Sequence, residues 1–212
     1  MVKGHALITA TNISKAYGKQ QILNNINFSL NAGSSAVILG RNGVGKSTFL
    51  SILAGYLKPG GGTVISYDKI GFVPQNDNLF ETLTVKDNLA FWSAASGGTN
   101  KTNNLLELFN IANYENKKVI HLSGGMKKSL AICCALIHQP NILIMDEPFT
   151  GLDIFYKQEL ILSLNKLLNM GKGIIYTSHN TDEIKALNSH IYLLKDGELT
   201  QNDTNVFSYH PS

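Results

Sequence analysis

The chain has 212 residues, 43% of them apolar and 16% charged, enough for one folded core with at most a small appended lobe and too apolar for a disordered chain. Its formal charge of +3 is spread as scattered lysines rather than a basic stripe, so no nucleic-acid partner is expected. The opening "MVKGHALITA" lacks the apolar core of a signal peptide, and no apolar run approaches the roughly 18 residues that cross a bilayer, so the expectation is a soluble, cytoplasmic protein that reaches a membrane only through another chain.

To about Gly40 the pattern is of strands. Residues 26–30, "INFSL", alternate apolar and polar, and 36–39, "AVIL", form a continuous apolar run of the kind that is buried on both faces. A helix is expected over 47–57, stopped by "KPGGG", and a strand over 70–74. From 76 to 121 the chain turns polar and Asn-rich with helical spacing: Thr84 reads as a helix cap with Asp87 three residues on, 95–104 as a loop, and 103–112 as a short helix. A helix follows over 125–138, ended by Pro140 and carrying Cys133 and Cys134, which point about 100° apart on a helix and are expected as core fillers rather than a disulfide. Their use fits a reducing compartment. Then come a buried strand ending at Asp146, a helix over 154–168, a buried strand from 173, a short helix from 181, and a strand, Asp-Gly turn and strand over 190–200. Strands alternating with helices predict a mainly parallel sheet with helices on both faces.

Two stretches carry chemistry. "GRNGVGKST", comprising Gly40, Arg41, Asn42, Gly43, Val44, Gly45, Lys46, Ser47 and Thr48, matches G-x-x-x-x-G-K-[ST] between a buried strand and a helix. Its glycines let backbone N–H groups turn inward around phosphates, the helix start adds partial positive charge, Lys46 reaches the outer phosphates, and the Ser47 hydroxyl suits Mg²⁺. At the end of "ILIMDEP", Asp146 and Glu147 stand where ligands bind in parallel sheets. Asp146 would hold Mg²⁺ and Glu147 would polarise an attacking water. Taken alone, two strand-end acids meeting solvent or capping a helix is an equal reading.

The phosphate loop, "LSGGM", "ILIMDEP", "GLD" and "SH", in this order, resemble the nucleotide-binding subunit of ABC transporters across almost the whole chain. The resemblance implies a phosphate-loop NTPase fold of class α/β: a mainly parallel sheet flanked by helices, a reduced N-terminal antiparallel β lobe, and an inserted helical lobe. The whole of 1–212 would be one ATPase domain, with about 1–75 and 122–212 as RecA-like core plus β lobe and about 76–121 as the helical subdomain. It implies that Ser123, Gly124, Gly125 and Met126, the signature, meet the ATP held by a second ATPase subunit, the same or a related chain; without the resemblance, 122–126 would read as a helix cap. Tyr17 would stack on adenine, Gln75 would reach Mg²⁺ or water, Asp153 would touch the partner subunit, and His179 would contact the γ-phosphate. Met126 replaces the usual Gln, which is expected to alter sugar or loop contacts rather than phosphate chemistry. The stretch between the phosphate-loop helix and Gln75 leaves room for two strands. His5, His121, His138, His190 and His210 match no role, and Lys117 and Lys118 read as a solvated face.

The implied function is that of an ATP-binding subunit which binds and hydrolyses Mg·ATP between two subunits and drives a separate integral membrane permease, lying on the inner face of the membrane through it. Residues 76–85 are the candidate contact strip, with Leu79 and Phe80 read as exposed apolar residues; that these two pack inside the lobe is an equal reading. A soluble relative of the iron–sulfur assembly type is the alternative; the DNA-repair type needs a long coiled coil and the translation type two ATPase halves, and neither is here.

Overall fold

A computed structural model describes residues 5–97 and 102–202. His210 and part of the expected 95–104 loop lie outside them. The chain opens with two long strands, β1 (Ala6–Tyr17) and β2 (Gln20–Asn31), then β3 (Ser35–Leu39), α1 (Lys46–Leu53), β4 (Gly61–Ser66) and β5 (Ile70–Val73). The helical stretch supplies α2 (Val85–Ser96), α3 (Thr102–Leu108) and 3₁₀ turns at Ala112–Tyr114 and Val119–His121. Then follow α4 (Gly124–Leu136), β6 (Ile142–Met145), α5 (Ile154–Asn169), β7 (Gly173–Thr177), α6 (Thr181–Ala186), β8 (His190–Lys195) and β9 (Glu198–Asn202).

The main sheet has six strands in the order β5-β6-β7-β3-β8-β9, with β9 alone antiparallel. Side chains alternate across a strand, and here the alternation feeds two cores. Ile142 and Ile144 of β6 face one side, where α1 brings Phe49 and Leu50 and the first two strands bring Ile8, Leu23 and Phe28. Leu143 and Met145 face the other, where α4 and α5 bring Leu130, Ile132, Leu160 and Leu164. This is why the central strands read as unbroken apolar runs: both faces are covered. The second sheet, β2-β1-β4, is antiparallel and lies on the α1 side. Two strands, β4 and β5, separate α1 from Gln75, as the length of that stretch predicts.

The described residues of the helical stretch have no separate interior. Leu89 of α2 and Leu106 of α3, with Phe109 just beyond it, join the cluster that holds Leu130 and Cys133 of α4 and Leu143 and Ile174 of the sheet. Cys133 and Cys134 are free and buried, and burial pushes the Cys134 thiol up to about 12, so neither is a ready thiolate. Thr84 caps α2 as predicted, with a reciprocal box to Asp87. Three helices end earlier than the sequence pattern predicts, α4 by two residues, at Leu136, and two others by more. The phosphate-loop helix stops at Leu53, with Gly55 left-handed just after. The 103–112 segment is helical only to Leu108: Asn110 takes φ 56° and the Ile111 N–H donates to the Leu106 carbonyl, which closes the helix. Asn tolerates this conformation where most residues do not.

Candidate active site

Four of the candidates stand at the carboxyl ends of parallel strands, where open α/β sheets bind ligands: Gly40 after β3, Gln75 after β5, Asp146 after β6 and His179 after β7. The phosphate loop bridges β3 and α1. Gly45 has φ 113°, and a Cβ there would lie 2.7 Å from Cγ2 of Ile22, so both the backbone and the close approach of β2 require glycine. Lys46 is 6% exposed, and its Nζ donates to the carbonyls of Gly40 at 2.7 Å and Arg41 at 3.0 Å. Partial burial pulls this lysine below its ordinary range, while the negative charges of Glu147 and Asp146 push the other way. The loop lysine and the strand-end acids therefore converge on one place.

The acids are held by a threonine that the sequence reading overlooked. Met145 of β6 stands opposite Tyr176 of β7, so Asp146 and Thr177 are the next residues along two paired strands. The Thr177 hydroxyl donates to Asp146 Oδ1 at 2.7 Å and accepts the Glu147 N–H at 2.7 Å. Asp146 is 5% exposed. Glu147 takes φ 47°, a conformation rare for a residue with a Cβ and one that clusters at functional sites. Its Oε2 accepts from Gln75 Nε2 and from the Thr150 hydroxyl, each at 3.2 Å. Register against a neighbouring acid-bearing strand was the available signal for Thr177; Thr150 had none beyond its place in "PFTGLD".

A cleft of 390 Å³ gathers Tyr17, Asn42, Gly43, Gly45, Lys46, Ser47, Thr48, Gln75 and Glu147. Tyr17 is 53% exposed at the end of β1, with Lys15 Nζ 5.6 Å from its ring centre. Gly40, Arg41 and Val44 belong to the same loop but do not line the cleft; Gly40 and Arg41 are linked to it by their carbonyls, which accept from Lys46 Nζ. A neighbouring cavity of 460 Å³ holds His179, Asn180, Lys157 and Glu183, and Glu147 lines both. Ser123, Gly124, Gly125 and Met126 line neither. They open α4 elsewhere: the Ser123 hydroxyl accepts the Met126 N–H at 3.3 Å, while Gly124 is exposed. Met126 turns its side chain into the core, 6% exposed. Asp153 is exposed and caps α5, its Oδ1 accepting the N–H groups of Phe155 and Tyr156 at 3.0 Å each.

Comparison with known proteins decides the family. The family described as ABC transporter matches residues 23–150. The chain belongs to the ABC transporter family. This ABC protein is 37% identical over 210 residues to the linearmycin resistance ATP-binding protein LnrL of Bacillus subtilis, covering 91% of this chain and 68% of that one. It is 34% identical over 209 residues to the Nod factor export ATP-binding protein I of Burkholderia orbicola, covering 91% and 69%. Among solved structures, a nucleotide-free ATP-binding cassette from an ABC transporter aligns with a TM-score of 0.84 at 23% identity over 93% of this chain and 91% of that one. CbiO1 of Clostridium perfringens, part of the ABC transporter complex cbiONQ, aligns at 0.82 and 27% identity over 93% and 88%. The ABC chain is thus an ATP-binding subunit whose activity is ATP hydrolysis coupled to transport, and such subunits work with membrane permeases. No helix among its described residues is long and apolar enough to cross a membrane.

Proposed function

We propose that this subunit hydrolyses ATP only when two ATPase subunits, copies of this chain or this chain with a relative, close on two nucleotides. The observation that carries the reading is a separation. Lys46, Ser47 and Glu147 share one cleft, while the glycine-rich start of α4 lines neither that cleft nor the 460 Å³ cavity beside it, the two that Glu147 joins. An anion-binding helix start that shares no such cavity with its own phosphate loop serves the nucleotide of a second molecule. Ser123, Gly124 and Gly125 then meet the γ-phosphate across the interface, Met126 contributes its backbone, and Asp153 lies in the facing loop.

Within the cleft, Tyr17 stacks on adenine. The loop N–H groups and Lys46 hold the phosphates, and Lys46 exchanges its carbonyl partners for phosphate oxygens. Glu147 orients the attacking water, steadied by Gln75 and Thr150. His179 reaches the γ-phosphate. Most of the rate comes from positioning and charge stabilisation. The Ser47 hydroxyl, the Asp146 carboxylate and the Gln75 amide oxygen form an all-oxygen donor set that suits Mg²⁺. Bound there, the ion would neutralise charge building on the β- and γ-phosphates.

The helical stretch 76–121 acts as a subdomain that takes the permease. An apolar groove of 240 Å³, lined by Phe72, Pro74, Leu79, Trp92, Ala131 and Ala135 among others, runs between β5, α2 and α4. Phe80 is 41% exposed beside it, edge-on to Phe91 at 4.6 Å. This docking would set the subunit on the cytoplasmic face of the cell membrane.

Glu147→Gln tests the composite site. The variant keeps every phosphate contact and loses the base, so it should bind ATP, stop turning over and elute as a dimer on size exclusion with ATP. A monomeric Glu147→Gln protein with wild-type turnover overturns the reading.

A further inference from the structure

Glu183 is a buried carboxylate that the scheme above leaves unused. It lies on α6 and is 5% exposed. Each of its oxygens is engaged: Oε1 accepts from Lys157 Nζ at 3.0 Å, and Oε2 accepts from the Ser178 hydroxyl at 2.5 Å. The Ser178 oxygen in turn accepts the Asn180 N–H at 3.0 Å. Both chain neighbours of His179 are therefore tied to one carboxylate, while His179 itself is exposed. Lys157 sits in the first turn of α5, four residues after Asp153, and its N–H donates to the Asp153 carbonyl at 3.0 Å. Glu183, Lys157, Ser178, His179 and Glu147 all line the same 460 Å³ cavity. A half-buried ion pair such as this, with the Lys157 side chain 29% exposed, adds little to net stability, because desolvation and solvent screening offset the attraction. What it does supply is fixed geometry between the elements that bear it.

We propose that Glu183 is a positioning residue for hydrolysis: it sets the stance of His179 and ties that loop to the helix behind Asp153, so that contact with nucleotide at one loop and with the second subunit at the other are registered together. The inference rests on the roles given above to His179 and Asp153.

The test uses the full chain with Glu183→Ala, Glu183→Gln, Ser178→Ala and His179→Ala, reading kcat and KM for ATP and, separately, affinity for a fluorescent non-hydrolysable ATP analogue. Glu183→Ala should lower kcat about tenfold or more, as misplacement of a reacting group does, with analogue affinity within about twofold. Glu183→Gln keeps an oxygen for Ser178 and should restore part of kcat. Glu183→Ala should add little to His179→Ala, since both act through one group. A Glu183→Ala protein with wild-type kcat, or with KM rising in step as kcat falls, overturns the proposal. Should Glu183→Ala not fold, Ser178→Ala leaves the ion pair intact and carries the test: slow turnover at unchanged affinity supports it, and wild-type turnover ends it. If His179→Ala turns over normally, the site reading fails and the proposal with it. If His179→Ala is slow while the Glu183 and Ser178 variants are fast, the proposal alone fails.

Discussion

Adjacent glycines at the start of α4 meet opposite surroundings. A Cβ on Gly125 would fall 2.3 Å from Cγ of Tyr156, a ring carried by α5, whereas a Cβ on Gly124 would meet nothing within 4 Å. Gly125 is thus needed by the fold, while no described residue of this chain requires a glycine at 124. Gly125→Ala should cost about 1–3 kcal/mol through overpacking. Gly124→Ala should stay within about 0.5 kcal/mol in urea unfolding, as an open surface position does, yet lose most of its ATPase activity because the added methyl stands between the helix start and the partner's phosphate. Full activity in Gly124→Ala would remove the cross-subunit role of that N–H group. The glycines themselves were plain in the sequence; which of them packs and which looks outward was not, because Tyr156 is 31 residues away along the chain and only the crossing of α4 and α5 brings its ring there. Thr177 was missed for the same reason, since its partners belong to a neighbouring strand.

Elements with strong local signals are those the sequence reading located. The capping box at Thr84, the Asp-Gly hairpin at Asp196 and the unbroken apolar strands each depend on neighbours within a few residues, and each is present. Where a long-range contact decides, the pattern was silent. The strip between Gln75 and α2 is one such place. Asn88, fully buried in α2, donates from Nδ2 to the Phe80 carbonyl at 3.1 Å and accepts the Phe80 N–H at 2.8 Å. Two lysines of α4 hold the strip from the other side, Lys128 pairing with Asp77 and Lys127 with Glu81, both at 2.6 Å. The exposed ring of Phe80 is therefore presented by a backbone that is fastened down. Two substitutions separate holding from touching. Asn88→Ala takes the partner from the Phe80 N–H, while the Phe80 carbonyl keeps the Leu83 N–H, and should cost about 1–3 kcal/mol of stability in urea. Phe80→Asp should leave stability and basal hydrolysis as they are and abolish transport in the reconstituted complex; normal transport there would mean that the permease docks elsewhere.

For the molecule as a whole, the proposed division of the site between two chains makes activity a matter of concentration. Turnover per molecule in the absence of permease should fall as the protein is diluted through the dimer's dissociation constant, in proportion to concentration at the low end, where the total rate goes as its square. A flat profile would mean that a single chain completes its own site.

The helical lobe shares its interior with the sheet through Leu89, Leu106 and Phe109. Cut from the rest, residues 76–121 would lose the wall against which those side chains close, and water would enter. Its described part is accordingly a handle forged in one piece with the blade: α2 and α3 cannot turn away without either carrying α4 along or opening the interior that they share with it.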